Sequence, residues 1–262
     1  KLEMEGLIIG AILLVAGAYC GIFLRKGILN KNRKMQYMET TTVGELTKLL
    51  NEYAAAGLEG YREYVELKGL AGAETPPETP YSKQKVAYYE TELYQVYEER
   101  ETYTDDKGNR RQRVHRHEEK ISSQKSYVPI LLKDPQTGET ASIELTEGGM
   151  QLDTIKNFDK FEPLNMMEQY SFFSNFTFRP MGARTLGFRM VERIIPLEHR
   201  LYVLGEAYLE NGRVYVGKPL DSKKPFIVSV KGEAELLQEN KFAANLALVG
   251  GILLVVIGVC VM

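Results

Sequence analysis

Cysteine is nearly missing from this chain. Cys20 and Cys260 are the only two, and both lie in apolar stretches at the ends. The middle therefore cannot be held by disulfides and cannot build a cysteine-ligated zinc site. An excess of one charge is missing too. Lys and Arg number 33 against 35 Asp and Glu, a net charge of −2. That excludes the basic balance of nucleic-acid binders, and no nucleic acid is expected as a partner. No glycine loop of the Walker or dinucleotide type is present, and no serine–histidine–acid set has a recognisable elbow. Hence no catalytic residue is named and no cofactor is expected.

Two long apolar runs are present. Gly6 to Leu24 and Phe242 to Met262 carry no charged side chain, over 19 and 21 residues. At 1.5 Å per residue the first is about 28 Å long, enough to cross the hydrocarbon of a bilayer. A cleaved signal peptide would carry its positive charge ahead of the run. Here Arg25, Lys26, Lys31, Arg33 and Lys34 follow it, as in a retained anchor. Met4 reads as a natural start. Basic residues beside a span tend to stay in the cytoplasm, and Lys241 precedes the second run. The expected topology has a cytoplasmic central domain and both chain ends outside. The same five basic residues are candidates for lipid-headgroup contact. Gly6, Gly10, Gly17 and Gly21, with Gly250, Gly251 and Gly258, offer close-packing faces. These could join the two spans or make a homo-oligomer.

The charged middle alternates like a sheet protein. Thr42 and Glu45 form a capping-box pair ahead of an amphipathic helix, Val43 to Ala56. Strands are predicted from Tyr64 to Gly69, Val86 to Tyr103, Gln112 to Tyr127, Val128 to Lys133 and Ala141 to Leu145. Four more run over Leu186 to Ile195, Arg200 to Leu209, Arg213 to Val216 and Phe226 to Val230. Asp and Gly residues at 104–109 and 134–138 mark hairpin turns, and Asn211-Gly212 is a strong turn signal. Gly69 and Gly205 sit inside strands, where small barrels bend sharply; with Gly212 they are the candidate structural glycines. Residues 146–185 show no period; Phe158, Phe161, Phe172, Phe173, Phe176 and Phe178 there pack a long loop onto the core, or face a partner or the membrane surface. The expected class is mainly β with flanking α: one strand-rich barrel or sandwich domain between two transmembrane helices. Its divisions are a span over 5–25, a basic segment and amphipathic helix over 26–60, the β-rich domain over 61–230, a connecting helix over 231–241 and a span over 242–262.

Several clusters could carry chemistry. His115 and His117 lie two apart on a predicted strand and so share a face. They could bind a metal with Glu119 or His199, though two solvated histidines are the plainer reading. Tyr81, Tyr88, Tyr89, Tyr94, Tyr97 and Tyr103 could form a partner surface, with Tyr88, Tyr94 and Tyr97 at its centre. Cross-strand pairing inside a sheet explains them as well. Glu98, Glu99, Asp105 and Asp106 read as solvated charge. Asn175-Phe-Thr177 fits a glycosylation acceptor that a cytoplasmic location would leave unused.

Glu192-Arg-Ile-Ile-Pro-Leu-Glu-His-Arg-Leu-Tyr-Val-Leu-Gly-Glu-Ala207, Asn211-Gly212 and Pro225-Phe-Ile-Val-Ser229 precede a short charged helix and an apolar run. With Gly69, the proline-rich crossing at 74–80 and Val86-Ala-Tyr-Tyr-Glu90, this pattern resembles the GIDE/BAM-domain family over most of residues 40–262. Eukaryotic members are membrane-anchored ubiquitin ligases. The resemblance implies the order span, domain, span, and a substrate-recognising domain beside a membrane. Family ligases carry a zinc-binding RING after the second span, and the chain is expected to be a RING-less, prokaryotic-type member. In organelle relatives the domain faces away from the cytosol, whereas the charges here place it in the cytoplasm. Three functions follow as expectations. The first is a non-catalytic scaffold that binds a protein partner. The second is a ligase component acting with a separate RING or conjugating partner. The third is a lipid or stress sensor whose helix Val43 to Ala56 lies on the membrane.

Overall fold

The first apolar run does not stop where its charges begin. In the computed structural model, which describes residues 2–165 and 184–261, a single helix runs from Met4 to Gln36. It comprises α1 (Leu2–Ala18), one π-helical stretch (Tyr19–Leu24) and α2 (Arg25–Gln36). The basic segment, expected only as a juxtamembrane stretch, is thus helical. It contains no proline, and Arg33 and Lys34 in its last turn oppose the negative end of the helix dipole.

In chain order there follow β1 (Thr40–Thr41), α3 (Val43–Ala55), β2 (Arg62–Gly72), β3 (Val86–Thr104), β4 (Arg110–Lys125), β5 (Ile130–Lys133) and β6 (Thr140–Ile143). Next come β7 (Met150–Asp153), β8 (Ile155–Pro163), β9 (Arg184–Pro196), β10 (Arg200–Glu210), β11 (Arg213–Gly217), β12 (Phe226–Ser229) and α4 (Glu233–Val261). The chain divides into two compact units. One holds residues 1–70, 132–153 and 200–262, the other 71–131 and 154–199.

The first unit is built on a closed barrel. Its strands pair in the order β2-β5-β6-β11-β10 and back to β2. Numbered along the chain this is 1-2-3-5-4-1, with β6 and β11 parallel and β10 antiparallel to both β11 and β2. That is the order of an OB-type Greek-key barrel. β12 extends the wall from β10, β7 pairs in parallel with β12, and β1 pairs with β2. The barrel is small, so some strand positions admit no side chain. A Cβ on Gly69 would stand 2.7 Å from the Lys133 carbonyl oxygen, and one on Gly205 2.9 Å from Val216 Cγ1. Gly212 serves differently: with Asn211 it turns β10 into β11 at φ of 75° and 50°, the paired left-handed conformations of a tight hairpin.

Helix α3 begins at the expected capping box, with both reciprocal hydrogen bonds made. Val43, Leu46 and Leu50 are buried, and the helix packs on β10 and β6. Its apolar face is therefore covered by the barrel. The expectation that this helix lies on a membrane is corrected: no apolar stripe is left for lipid.

Two further helical segments also seat on the barrel. Met35 of α2 and Leu236 of α4 share a buried cluster with Tyr202, Leu204 and Ile227. The Asn32 amide donates to the Leu237 carbonyl at 3.1 Å. Above this seat α1 and α4 run against each other. A Cβ on Gly17 would lie 2.6 Å from Gly251 O, and one on Gly258 2.9 Å from Gly10 O. The small-residue faces meet within one chain, while Gly250 meets nothing.

The second unit grows from two excursions of the barrel chain, one between β2 and β5, the other between β7 and β10. They form one antiparallel sheet, β4-β3-β9-β8. Its core is Leu93, Phe188 and Met190, with Tyr81, Ile121 and Phe158 packed against it. β1, β7 and β8 were not expected. Among the described residues β8 is an edge strand with mostly exposed side chains, so it shows no apolar alternation. Phe158 and Phe161 lie on it, while Phe172, Phe173, Phe176, Phe178 and Asn175-Phe-Thr177 fall outside the described residues.

Candidate functional site

β3 and β4, the longest strands among the described residues, form one hairpin. β3 has 19 residues and β4 has 16, in register from Glu90 opposite Lys125 to Thr104 opposite Arg110, with one bulge at Leu93–Tyr94. The half near the core is flanked on its other side by β9 as far as Glu98. Among the described residues the distal half, 99–104 against 110–115, has no third strand. The turn is held by Asp105, whose carboxylate accepts from the backbone N–H of Lys107 and Asn109 and from Arg111 Nε at 2.7 Å. These bonds, the one from Asn109 foremost, hold its acid below the usual carboxylate range. Asp105 is thus an organiser of the turn, where solvated charge was expected.

Along one face, His117 stacks on Tyr97 with ring centroids 5.4 Å apart, and Arg113 covers Tyr103 at 5.0 Å. His115 Nε2 lies 3.3 Å from Glu101, and His117 Nε2 lies 3.7 Å from Glu99. The two imidazoles are 6.2 Å apart, centroid to centroid. Among the described residues no three His, Cys, Asp or Glu side chains are placed to hold a metal. Glu119 is opposite Gln95, and His199 lies in the β9–β10 turn, where its carbonyl accepts from Ala71 N–H. The histidines pair with glutamates across the ribbon.

On the other face Arg189 forks onto Asp159, both contacts at 2.7 Å, and reaches Glu118 at 2.9 Å. Lys156 adds a contact to Asp159 at 2.9 Å. Arg189 and then Lys156 drive the Asp159 carboxyl far below its ordinary value. Arg116 lies over Phe161 at 5.3 Å. These contacts brace the ribbon from β8 and β9.

The tyrosines divide. Tyr88 is 3% exposed, and its phenol is pushed up to about 12 by burial and then by Glu90. It belongs to the interior, so its place on a partner surface is corrected. Tyr94 is half-buried and donates to Glu92 at 2.8 Å. Tyr97 is half-buried beneath His117. Tyr81 packs on Phe158, and its N–H and that of Ser82 donate to Glu192, an acid wholly enclosed in the sheet. Tyr89 is half-buried and Tyr103 exposed.

The predicted basic cluster lies wholly on α2. Lys31 donates to Gln151, and Lys34 to the Lys223 carbonyl. With Arg33, Asn30 and Ser222 they line an open cleft of about 650 Å³. Arg25 and Lys26 do not line it. Lys223 and Ser222 went unnoticed in the sequence because they follow Lys34 by nearly two hundred residues. A buried acid was also missed. Glu66, 1% exposed, accepts from Tyr202 Oη at 2.9 Å and Thr40 Oγ1 at 2.6 Å, and pairs with Lys68 at 2.9 Å. Glu233 of α4 shares Lys68 at 3.1 Å.

A family model described as "GIDE: E3 Ubiquitin ligase" matches residues 98–262, from the middle of β3 through the whole of α4. The chain belongs to the GIDE family. No curated protein and no solved structure matches it. The GIDE match covers the distal ribbon, β5 to β12 and the second apolar helix. Two helices long and apolar enough to cross a membrane accompany it, Met4–Gln36 and Glu233–Val261. Together these describe a ubiquitin-ligase-related protein fitted for membrane association.

Proposed function

We propose that this GIDE-family chain is a membrane-held recruiting module, with the β3–β4 ribbon as its contact for a protein partner. The observation that carries the reading is the outer edge of β4. Among the described residues it is an edge strand of 16 residues, almost all exposed, with Arg110, Arg111, Arg113 and Arg116 in its distal half. An open edge accepts an extended segment by main-chain hydrogen bonds, and side-chain charge selects among segments. The arginines disfavour pairing of two such edges with each other, as charged edges do. They favour an extended segment rich in Asp and Glu.

Membrane attachment is supported by large apolar side chains at least half exposed: Leu7, Ile12, Val15 and Phe23 on the first helix, Phe242, Leu246 and Ile257 on the second. The five basic residues after Leu24 support a cytoplasmic domain. Holding the domain at a surface raises its effective concentration toward partners on the same surface.

The test is a photo-reactive residue at Gln112 or Val114 of the full chain in native membranes. The expected result is one defined protein adduct, lost when 99–115 is replaced by a short turn. Adducts no different from those of a probe at barrel residue Asp221 would defeat the reading. A second reading, a component of ubiquitin-like transfer acting with separate conjugating proteins, is favoured by the description of the matched family. It requires the purified chain to accelerate transfer in a reconstituted reaction, and no acceleration with cognate enzymes removes it.

A further inference from the structure

Beyond the ribbon, the cleft at the foot of the first helix has the makings of a ligand site. Its walls are α2 on one side and the β11–β12 loop on the other. Four cations converge there: Lys31, Arg33, Lys34 and Lys223. None of the lining residues is an acid. Lys31 is partly matched, through Gln151 and the charge of Asp153. Arg33, Lys34 and Lys223 make no ion pair among the described residues.

The loop side is preorganised. Asp221 accepts from the Lys223 backbone N–H at 2.9 Å, and its own carbonyl accepts from Lys224 N–H at 2.9 Å. Lys34 holds the Lys223 carbonyl, and Tyr64 donates to the Pro225 carbonyl at 2.8 Å. Lys224 is turned over the Tyr64 ring at 4.9 Å. The acid of the loop is therefore occupied with backbone, while Lys223 lines the cleft. Asn30 and Ser222 add short neutral polar groups. Several cations with neutral donors and no acid suit a phosphate oxyanion.

Depth favours one source of phosphate. Leu24 is the last residue of the first apolar run, and at 1.5 Å per residue Gly27 to Lys34 stand about 5 to 15 Å beyond it. The headgroup layer extends about 5 to 8 Å beyond the hydrocarbon. The lower lip of the cleft thus meets that layer, and the long basic side chains can reach down into it. We infer that, given the membrane placement proposed above, this cleft binds the phosphate of an anionic phospholipid headgroup, clamped between α2 and the β11–β12 loop.

The full chain in neutral detergent is titrated with short-chain phosphatidylglycerol, with phosphatidylcholine of the same chain length, and with inorganic phosphate at matched ionic strength. Bound molecules are counted by native mass spectrometry. The expected result is retention of phosphatidylglycerol over phosphatidylcholine, reduced roughly ten-fold or more by Lys223→Glu and less by Lys223→Gln. Lys26→Glu makes the same charge change on α2 but outside the cleft and is expected to have little effect. Equal losses from Lys26→Glu and Lys223→Glu mean diffuse attraction and overturn the site. Displacement of phosphatidylglycerol by inorganic phosphate at equal concentration overturns the lipid source. A melting temperature unchanged in lipid-free detergent identifies variants that keep their fold. Protein that enters bilayers on reconstitution yet shows no headgroup preference sinks this inference alone. Protein that stays in water without detergent sinks the membrane placement with it.

Discussion

Gly205 shows at one residue how the barrel constrains its sequence. A Cβ added there would stand within about 3 Å of Val216, the Gly217 carbonyl and Phe226, so only the absence of a side chain fits. Replacing it with valine should destabilise the first unit by about 2 kcal/mol or more, because rigid backbone lies on one side; a melting curve in detergent measures this. Asp134 binds elements together through its carboxylate, which accepts from the backbone of Gln136, Thr137 and Gly44, the last in the first turn of α3. Those bonds, Gln136 first, hold its acid below the ordinary 3.8. Asp159 is lowered likewise by Arg189 and Lys156. A folded-state value below the unfolded one contributes stability above pH about 4, lost as pH falls further. Unfolding should therefore steepen below that pH, and Asp134→Asn or Asp159→Asn should flatten the profile while lowering stability at neutral pH. At the alkaline end burial lifts Tyr81 and Tyr88 to about 12. Their phenolate absorbance should appear about 2 pH units above the ordinary tyrosine value of about 10, until the fold opens.

Among elements, α3 and the helix pair illustrate two uses of helical surface. The capping box and the spacing of Val43, Leu46 and Leu50 made α3 legible from sequence, but its amphipathic stripe looks the same whether it faces lipid or protein. Only the partner surface decides, and it is the barrel. Leu46→Ala should cost about 2 to 4 kcal/mol of stability, as a large-to-small change at a buried site does. The glycines of α1 and α4 posed a similar ambiguity between contacts within a chain and between chains. Gly17 and Gly251 approach so closely that Gly251→Leu should separate the two helices. A crosslink between cysteines introduced near this contact should then be lost, while Gly250→Leu, facing open space, should leave it unchanged. β3 and β4 were legible because their alternation is long and Asp-rich turn chemistry separates them. β8 was not, since an edge strand that exposes most of its side chains can be polar throughout. β7 is four residues long and paired with a distant strand.

For the molecule as a whole, the defining feature is how firmly the barrel is joined to the two apolar helices. Met35 and Leu236 lie in the barrel's own core cluster, and Glu233 reaches the Lys68–Glu66 pair. The barrel is seated on the helix pair through buried side chains. Full-length protein should accordingly sediment with membranes and resist extraction by high salt, which weakens surface charge pairs and leaves apolar burial intact. Protease added to sealed inside-out vesicles should reach the turn at Lys107, as a cytoplasmic domain requires; protection there would reverse the proposed orientation.

Side-chain character alone determined the two apolar runs, the strand pattern of the middle, the turns at Asp105 and Asn211-Gly212, and the family resemblance, because hydropathy, alternation and turn chemistry are local properties. Tertiary structure alone decided that the basic segment is helix, that Tyr88 is interior, that α3 is covered, and that Lys223 joins Lys34 in one cleft. Those outcomes depend on which distant surfaces meet. Free energy of contact between residues far apart in sequence leaves no mark on the short-range pattern of either partner.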